Sequence, residues 1–426
     1  MNEHSGDSEG HADERGRVGE SFRFAYDPPV LRCGRGATAS LGEELAEHGY
    51  ERALVVCGQT VGSTPAVIDP VREGLGDRLA GVFAGTTPEK RLSTAADAVD
   101  ALREVAADCI VALGGGSSLD VAKQTSLLAA RVRAARAGTR PGDIYAAAGG
   151  EFERTGTLAV PADGLVPIVA VPTTLAGADI SQVAGVTATP ADGLVETATD
   201  GGISDPGLMP KTVVADPGLI ETTPERVLAA SAMNGFDKGV ETLYARTATP
   251  VTDATAVHGL SLFRDGLLAF GDGSREEWVF NALARGCLLV QYGISRPGPG
   301  TLSLVHAFGH GLTRTAPLQQ GVAHAVVAPH VLEYVFERVD GRRDLLAEAF
   351  GVAKREDSED VAEEVIDGLR ELRDALGLPA RLRDVDGPDR EALPEVASAV
   401  LGDGLLPNGP VEPTQADIET ILDAAW

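Results

Sequence analysis

Cysteine, lysine and aromatic side chains are all scarce in this chain of 426 residues, and each shortage closes off a class of function. The four cysteines (Cys33, Cys57, Cys109 and Cys287) stand far apart with no CxxC spacing, which argues against a disulfide framework or a structural zinc site. Cys57 and Cys109 lie in strand-like apolar runs, so buried thiols in a reducing cytoplasm are expected. Aromatic residues make up 4% of the chain and offer no stacking platform for a substrate. Five lysines accompany 31 arginines, and 63 acidic residues face 36 basic ones, for a formal charge of −27. That balance excludes a nucleic-acid partner, which needs basic patches. The acids are spread along the chain rather than gathered in a tail. Such a surface keeps a protein dispersed where salt screens charge within roughly 3 Å at 1 M, which suggests a high-salt cytoplasm. No run of 18 apolar residues occurs and the N-terminus is polar, so neither a membrane partner nor a signal core is expected, and the location read from the sequence is cytoplasmic.

What the chain does contain is a regular alternation. Its length favours two domains. Residues 1–19 lack periodicity and read as a disordered acidic tail. Helix-like and strand-like segments then alternate: Thr38–His48 helical, Arg52–Cys57 strand, Ser63–Leu75 helical, Arg78–Ala84 strand, Ser93–Ala106 helical, Cys109–Leu113 strand and Asp120–Arg133 helical. A further strand, Val166–Val171, follows a Gly/Pro-rich connection. This rhythm predicts a parallel sheet with helices on both faces. From Thr222 onward long helical patterns dominate. The boundary is placed at Asp216-Pro217-Gly218, giving an α/β domain over 20–216 and an all-helical domain over 217–426.

The run Val111-Ala-Leu-Gly-Gly-Gly-Ser-Ser-Leu-Asp-Val-Ala-Lys123 is the most informative stretch. A buried strand enters Gly114, Gly115 and Gly116, and an amphipathic helix follows, with Ser117 or Ser118 expected as its N-cap. Glycines let a backbone approach a ligand, and the free N–H groups and dipole of the helix favour a phosphate. The pattern is neither GxGxxG nor GxxxxGK[ST], and three glycines alone also suit an ordinary strand–helix turn. Two later blocks join it. Val171-Pro-Thr-Thr-Leu-Ala-Gly177 places Thr173 and Thr174 after the next strand, and Asp216-Pro-Gly-Leu-Ile-Glu-Thr-Thr-Pro-Glu-Arg226 leads into a helix.

GGGSSLDVAK, PTTLAG, DPGLIETTP, HAFGHGL and VAPHVLEY stand in the order seen in the iron-containing (group III) alcohol dehydrogenases, and residues 24–340 resemble that family. The resemblance implies a Rossmann-like N-terminal domain that binds NAD or NADP, followed by an all-helical domain with the metal and substrate site, the active site lying between them. It implies that Gly114, Gly115, Gly116 and Ser117 cradle the pyrophosphate, with Gly58, Ser118, Asp120, Lys123, Thr173 and Thr174 close by. Thr174–Ser181, Met233-Asn234, Val240–Ala245 and Asp77–Gly85 are most similar to the maleylacetate reductase branch. The family often dimerises, which makes a homodimer an expectation here.

The metal positions depart from the family pattern. Aligned on Glu241, the aspartate falls on Asn234 and the first histidine on Lys238. The two later ligands fall on His306 and Gln320, while His310 matches a substrate-side residue. An ammonium repels a divalent ion, and neutral amides are weak ligands, so bound iron or zinc is not expected. A shifted set of Asp237 and Glu241 with His306, His310 or His324 is the alternative, but it would need the helix to turn by about 60–100°. The bland reading has Asp237 solvated and Glu241 paired with Lys238 or an arginine.

The expected activity is a hydride transfer between nicotinamide and a small carbonyl or alcohol, as in an aldehyde or keto-acid reductase. Lys238 replaces the metal charge, and His306 or His310 donates the proton. His330 reads as a packing residue. After the strand Ala53–Cys57 the chain has Gly58-Gln59-Thr60 where NAD-preferring relatives carry an aspartate, so NADP or dual use is favoured, with Gln59, Thr60 or Ser63 available to a 2′-phosphate. A metal-dependent dehydrogenase and a non-catalytic dinucleotide binder are the competing readings.

Overall fold

The structure is a computed structural model, and it describes residues 21–298, 300–353 and 358–426; the predicted tail over 1–19 lies outside them. Six strands form one parallel sheet: β1 (Val30–Cys33), β2 (Ala53–Gly58), β3 (Leu79–Thr86), β4 (Cys109–Gly114), β5 (Ile168–Pro172) and β8 (Thr212–Ala215). Their order is β1-β8-β5-β4-β2-β3. A separate antiparallel hairpin pairs β6 (Val183–Ala188) with β7 (Thr199–Ser204).

The sheet is buried on both faces, which is why its central strands read as continuous apolar runs. Side chains alternate along each strand. Leu54, Val56, Ile110, Ala112, Ile168 and Ala170 pack on one face, beneath helices that include Leu92–Glu104 and Gly116–Ala134. Val55, Cys57, Val111, Leu113, Val169 and Val171 pack on the other against Leu41, Leu45, Val67 and Val71. Cys57 and Cys109 are buried free thiols.

From Pro217 to the C-terminus every regular element among the described residues is helical. Glu225–Tyr244 is the central helix of this part and packs against Pro250–Gly271, Glu277–Gln291 and Gln320–Arg338. Leu228, Met233, Phe236, Val240 and Leu243 line its buried side. Among the described residues no helix is long and apolar enough to cross a membrane.

Three departures from the sequence expectations concern the α/β half. The Gly/Pro-rich connection holds a helix, Pro141–Thr155, opened by proline at its first position. The short strands β1 and β8, of four residues each, carry too little periodicity to be read alone. The helix after the glycines starts at Gly116 with Gly115 as N-cap, and neither Ser117 nor Ser118 caps it. Ser118 Oγ lies instead 2.9 Å from Thr86 Oγ1.

Candidate functional site

The strand order reverses between β2 and β4, because the chain goes outward from β2 to β3 and then returns to the far side of β2. Ligands of open parallel sheets bind outside the carboxyl ends of the strands at such a point. The two strands meeting there end in Gly58 and Gly114. Gly114 has φ +135°, and a Cβ on it would come 2.8 Å from Ser118 Oγ. A Cβ on Gly115 would press on Thr174 Cγ2 at 3.1 Å. The two glycine and threonine blocks therefore touch, and the Thr173 N–H donates to the Gly114 carbonyl at 3.1 Å. Gly115, Gly116, Ser117 and Thr174 reach the surface, whereas Gly114, Ser118, Asp120, Lys123 and Thr173 are buried. The first-turn N–H groups of the Gly116–Ala134 helix have no side-chain cap, so this cradle suits a pyrophosphate.

Asp120 and Lys123 support the cradle from behind. Asp120 pairs with Lys90 at 2.7 Å. Lys123 Nζ donates to the carbonyls of Ala178 and Val183 at 3.0 and 2.9 Å. Burial lowers the Lys123 pKa to about 8, against the opposing pull of Asp120 and Asp179. The third block closes the arrangement, since Thr223 Oγ1 donates to the Thr173 carbonyl at 2.6 Å.

Across the crevice, the helix Glu225–Tyr244 presents Asn234, Asp237, Lys238 and Glu241. Lys238 Nζ donates to the Ala176 carbonyl at 2.8 Å and lies 3.4 Å from Gln291 Oε1. Part of the side chain stays accessible, but the ammonium is deep enough that desolvation lowers its pKa, opposed by Cys287, Asp179, Asp120 and Glu241. Glu241 does not pair with Lys238. Its carboxylate accepts the backbone N–H groups of Ser303 and His306 at 3.2 and 3.1 Å and pairs with His306 Nδ1. Burial pushes Glu241 up to about 7 although those N–H groups and His324 pull it down.

Asp237, expected in water, is fully buried 3.5 Å from His324 Nδ1. The His324 and His306 rings are 4.4 Å apart, and the His306 and His310 rings 6.5 Å. Burial holds Asp237 well above the carboxylate range, His306 well below the imidazole range, and His324 at about 3. No turn of the helix is required to bring Asp237 and Glu241 to these histidines. Sequence reasoning offered His324 only as one of three candidate histidines of the shifted set, and the structure places it opposite Asp237. His310 is partly exposed, with Nδ1 2.9 Å from Asp403 Oδ2. His330 pairs with Glu333. Arg246 pairs with Glu412, and Arg296 donates to the Gly293 and Thr247 carbonyls.

The aligned metal positions hold Asn234, Lys238, His306 and Gln320. This set does not suit a tightly bound divalent ion: it offers one imidazole, two neutral amides and a cation that is already bonded to a carbonyl oxygen. His306 Nε2 and Asn234 Oδ1 are buried without a hydrogen-bond partner. Among the described residues no three histidine, cysteine or carboxylate side chains are disposed to hold a metal ion.

A glycine-lined crevice at a sheet reversal, faced by a lysine and histidines on a helical domain, is the architecture of a dinucleotide-dependent oxidoreductase. Residues 28–217 match the family described as iron-containing alcohol dehydrogenase, and residues 228–426 match the C-terminal domain of the same family. The lactaldehyde reductase of Escherichia coli K12 is 26% identical over 397 residues, covering 92% of this chain and 97% of that protein. Maleylacetate reductase 1 of Cupriavidus pinatubonensis is 27% identical over 417 residues, covering 96% and 98%. A solved structure described as a putative alcohol dehydrogenase from Ralstonia eutropha JMP134 superposes with a TM-score of 0.76 at 26% identity, covering 96% of this chain and 98% of that one. The chain belongs to the iron-containing alcohol dehydrogenase family, resembles its maleylacetate reductases, and is an NAD(P)-dependent oxidoreductase acting on alcohol or carbonyl groups.

Proposed function

We propose that the protein reduces a small aldehyde or keto acid without a tightly bound metal, using Lys238 in place of the metal charge and His310 as proton donor. The observation that carries this reading is Lys238 itself, whose ammonium lies against the Ala176 carbonyl between the glycine cradle and the helical domain. The bound dinucleotide supplies the hydride. The developing negative charge on the substrate oxygen is met by the Lys238 ammonium in a partly desolvated setting, where a fixed cation acts more strongly than in water. His306 is held neutral by burial and by the neighbouring His324 and Lys238, and its Nδ1 pairs with Glu241, which anchors the helix that also carries His310.

Residues 20–216 are assigned to the dinucleotide and 217–426 to the substrate. The lack of a carboxylate in Gly58-Gln59-Thr60 at the β2 end favours NADPH. Titration is expected to give NADPH a Kd no weaker than that of NADH; NADH binding about tenfold tighter, some 1.4 kcal/mol, would contradict the assignment. Edge strand β1 exposes Val30 and Leu31, which supports a homodimer paired along that edge. The charge of −27 supports a high-salt setting.

A second reading, a shifted site for a divalent ion, has one observation in its favour: Asp237, Glu241, His306 and His324 converge in one buried group, although as placed these side chains are not disposed to hold an ion. Metal analysis and steady-state kinetics in molar KCl decide between the two. The expected result is less than about 0.1 metal ion per chain, activity that survives chelation, and a kcat lowered about 10²-fold by Lys238→Ala. Stoichiometric metal with loss of activity on chelation establishes the shifted site instead. Tight NADPH binding with no turnover of any aldehyde or keto acid leaves a non-catalytic binder.

A further inference from the structure

His306 and His310 lie one turn apart on the helix Leu304–Thr315, and each has a carboxylate at its Nδ1. Their surroundings are otherwise opposite. The His306 side chain is 3% exposed and that of His310 is 36% exposed. His306 is pressed by His324 and Lys238 as well as by burial. Of the two, His310 combines a carboxylate partner with access to water.

The partner of His310 comes from a distant part of the chain. Asp403 follows the helix Leu393–Leu401, and its side chain is 4% exposed. One oxygen, Oδ1, accepts the Leu405 N–H at 3.0 Å, which fixes the carboxylate plane. The other, Oδ2, lies 2.9 Å from His310 Nδ1 and 3.8 Å from Arg314 Nη2. Burial pushes the Asp403 carboxyl up, but the bonds from His310 and Leu405 and the nearby Arg314 charge outweigh it and hold it below the usual range. An ionised carboxylate only accepts hydrogen bonds.

We propose that Asp403 is a positioning residue for the reduction, holding the proton of His310 on Nδ1 so that Nε2 is the atom that exchanges a proton with substrate. This rests on the reading of His310 as proton donor. In the step, hydride adds to the carbonyl carbon, and the C=O π pair moves onto oxygen. The Nε2–H bond of the His310 imidazolium breaks as the O–H bond forms. The carbonyl is reduced and the dinucleotide oxidised. His310 is left neutral with Nδ1–H on Asp403, and water restores the Nε2 proton. The carboxylate fixes which ring nitrogen keeps its proton, as the buried aspartate of a Ser-His-Asp triad does for its histidine.

The test combines imidazole ¹⁵N NMR with kinetics on Asp403→Asn, Asp403→Glu and His310→Gln, using NADPH with lactaldehyde or maleylacetate, whichever turns over faster. The His310 signal, identified by its loss in His310→Gln, is expected as the Nδ1–H tautomer in the native protein and as Nε2–H in Asp403→Asn. The Asn variant is expected to lower kcat about 10²-fold with KM for the carbonyl and Kd for NADPH changed less than about twofold, and Asp403→Glu to restore most of the loss. In the His310→Gln background Asp403→Asn is expected to change kcat by less than about twofold. An Nε2–H tautomer in the native protein overturns the proposal, as does an equal fold-loss in both backgrounds, which marks a merely structural role. Should the Asn variant fail to fold, the Glu variant decides: a native tautomer with near-native kcat supports the assignment, and loss of either overturns it. Native turnover in His310→Gln defeats the proton-donor reading itself, whereas a slow His310→Gln beside a fast Asp403→Asn defeats the role of Asp403 alone.

Discussion

The buried pair of Asp237 and His324 sets how the fold responds to acid, and replacing His324 by glutamine isolates that response. In the folded protein His324 is fully buried, and burial lowers its pKa from 6.5 to about 3. The unfolded chain takes up a proton on this ring as pH falls through 6.5, whereas the folded chain does not until far lower. The folded state is therefore disfavoured progressively below pH 6.5, at about 1.4 kcal/mol per pH unit. Between pH 6.5 and 5 the loss comes to about 2 kcal/mol from this one side chain. Glu241 acts in the opposite sense. Its pKa is raised to about 7, so the folded protein gains stability as pH falls from 7 toward the ordinary glutamate value, and the native curve stays shallow. Glutamine does not titrate, so His324→Gln removes the histidine contribution and also lifts its downward pull on Glu241. Urea unfolding at constant KCl at pH 7, 6 and 5 measures the outcome. The native-minus-variant stability is expected to fall by about 2 kcal/mol across that range. A difference that stays flat within about 0.5 kcal/mol would mean that the ring is hydrated or charged in the folded state, and the neutral buried pair would have to be abandoned.

The cradle is tested by Gly114→Ala. An alanine there carries φ +135° and meets Ser118 Oγ, a strain of about 1–3 kcal/mol. A Kd for NADPH at least about tenfold weaker is expected by fluorescence titration, and unchanged binding in a folded variant would separate this turn from the cofactor. The chelation and Lys238→Ala kinetics, the NADPH-against-NADH titration and the Asp403 series complete the set.

Much of the nucleotide half was legible because its physics is local. A strand buried on both faces has to be continuously apolar, and Cys109–Leu113 is; a turn that brings backbone close to a ligand has to be glycine, and Gly114–Gly116 are. The switch point was accessible only through strand order, which no single segment encodes. The N-cap was misread because Ser118 had a stronger partner, Thr86, on a neighbouring strand that its own sequence context does not reveal. The helical half was harder. Helical spacing placed Asp237 and Glu241 on one face, but which face turns inward depends on the helices bearing His306 and His324, more than sixty residues away in sequence. Asp403 is further still from His310, and an Asp-Gly turn of ordinary appearance gave no sign of it.

The segment Thr173–Gly177 is stitched on its far side to the helical domain. Thr223 holds its first carbonyl, Ser231 receives the Leu175 N–H, and Lys238 grips Ala176. Its near side belongs to the sheet through Gly114. This strip thus travels with the half that carries Lys238 and the histidines, and prising the two lobes apart means severing these stitches. Loading of coenzyme and arrival of the second reactant should accordingly be felt by each other through this hem, without a free-swinging hinge.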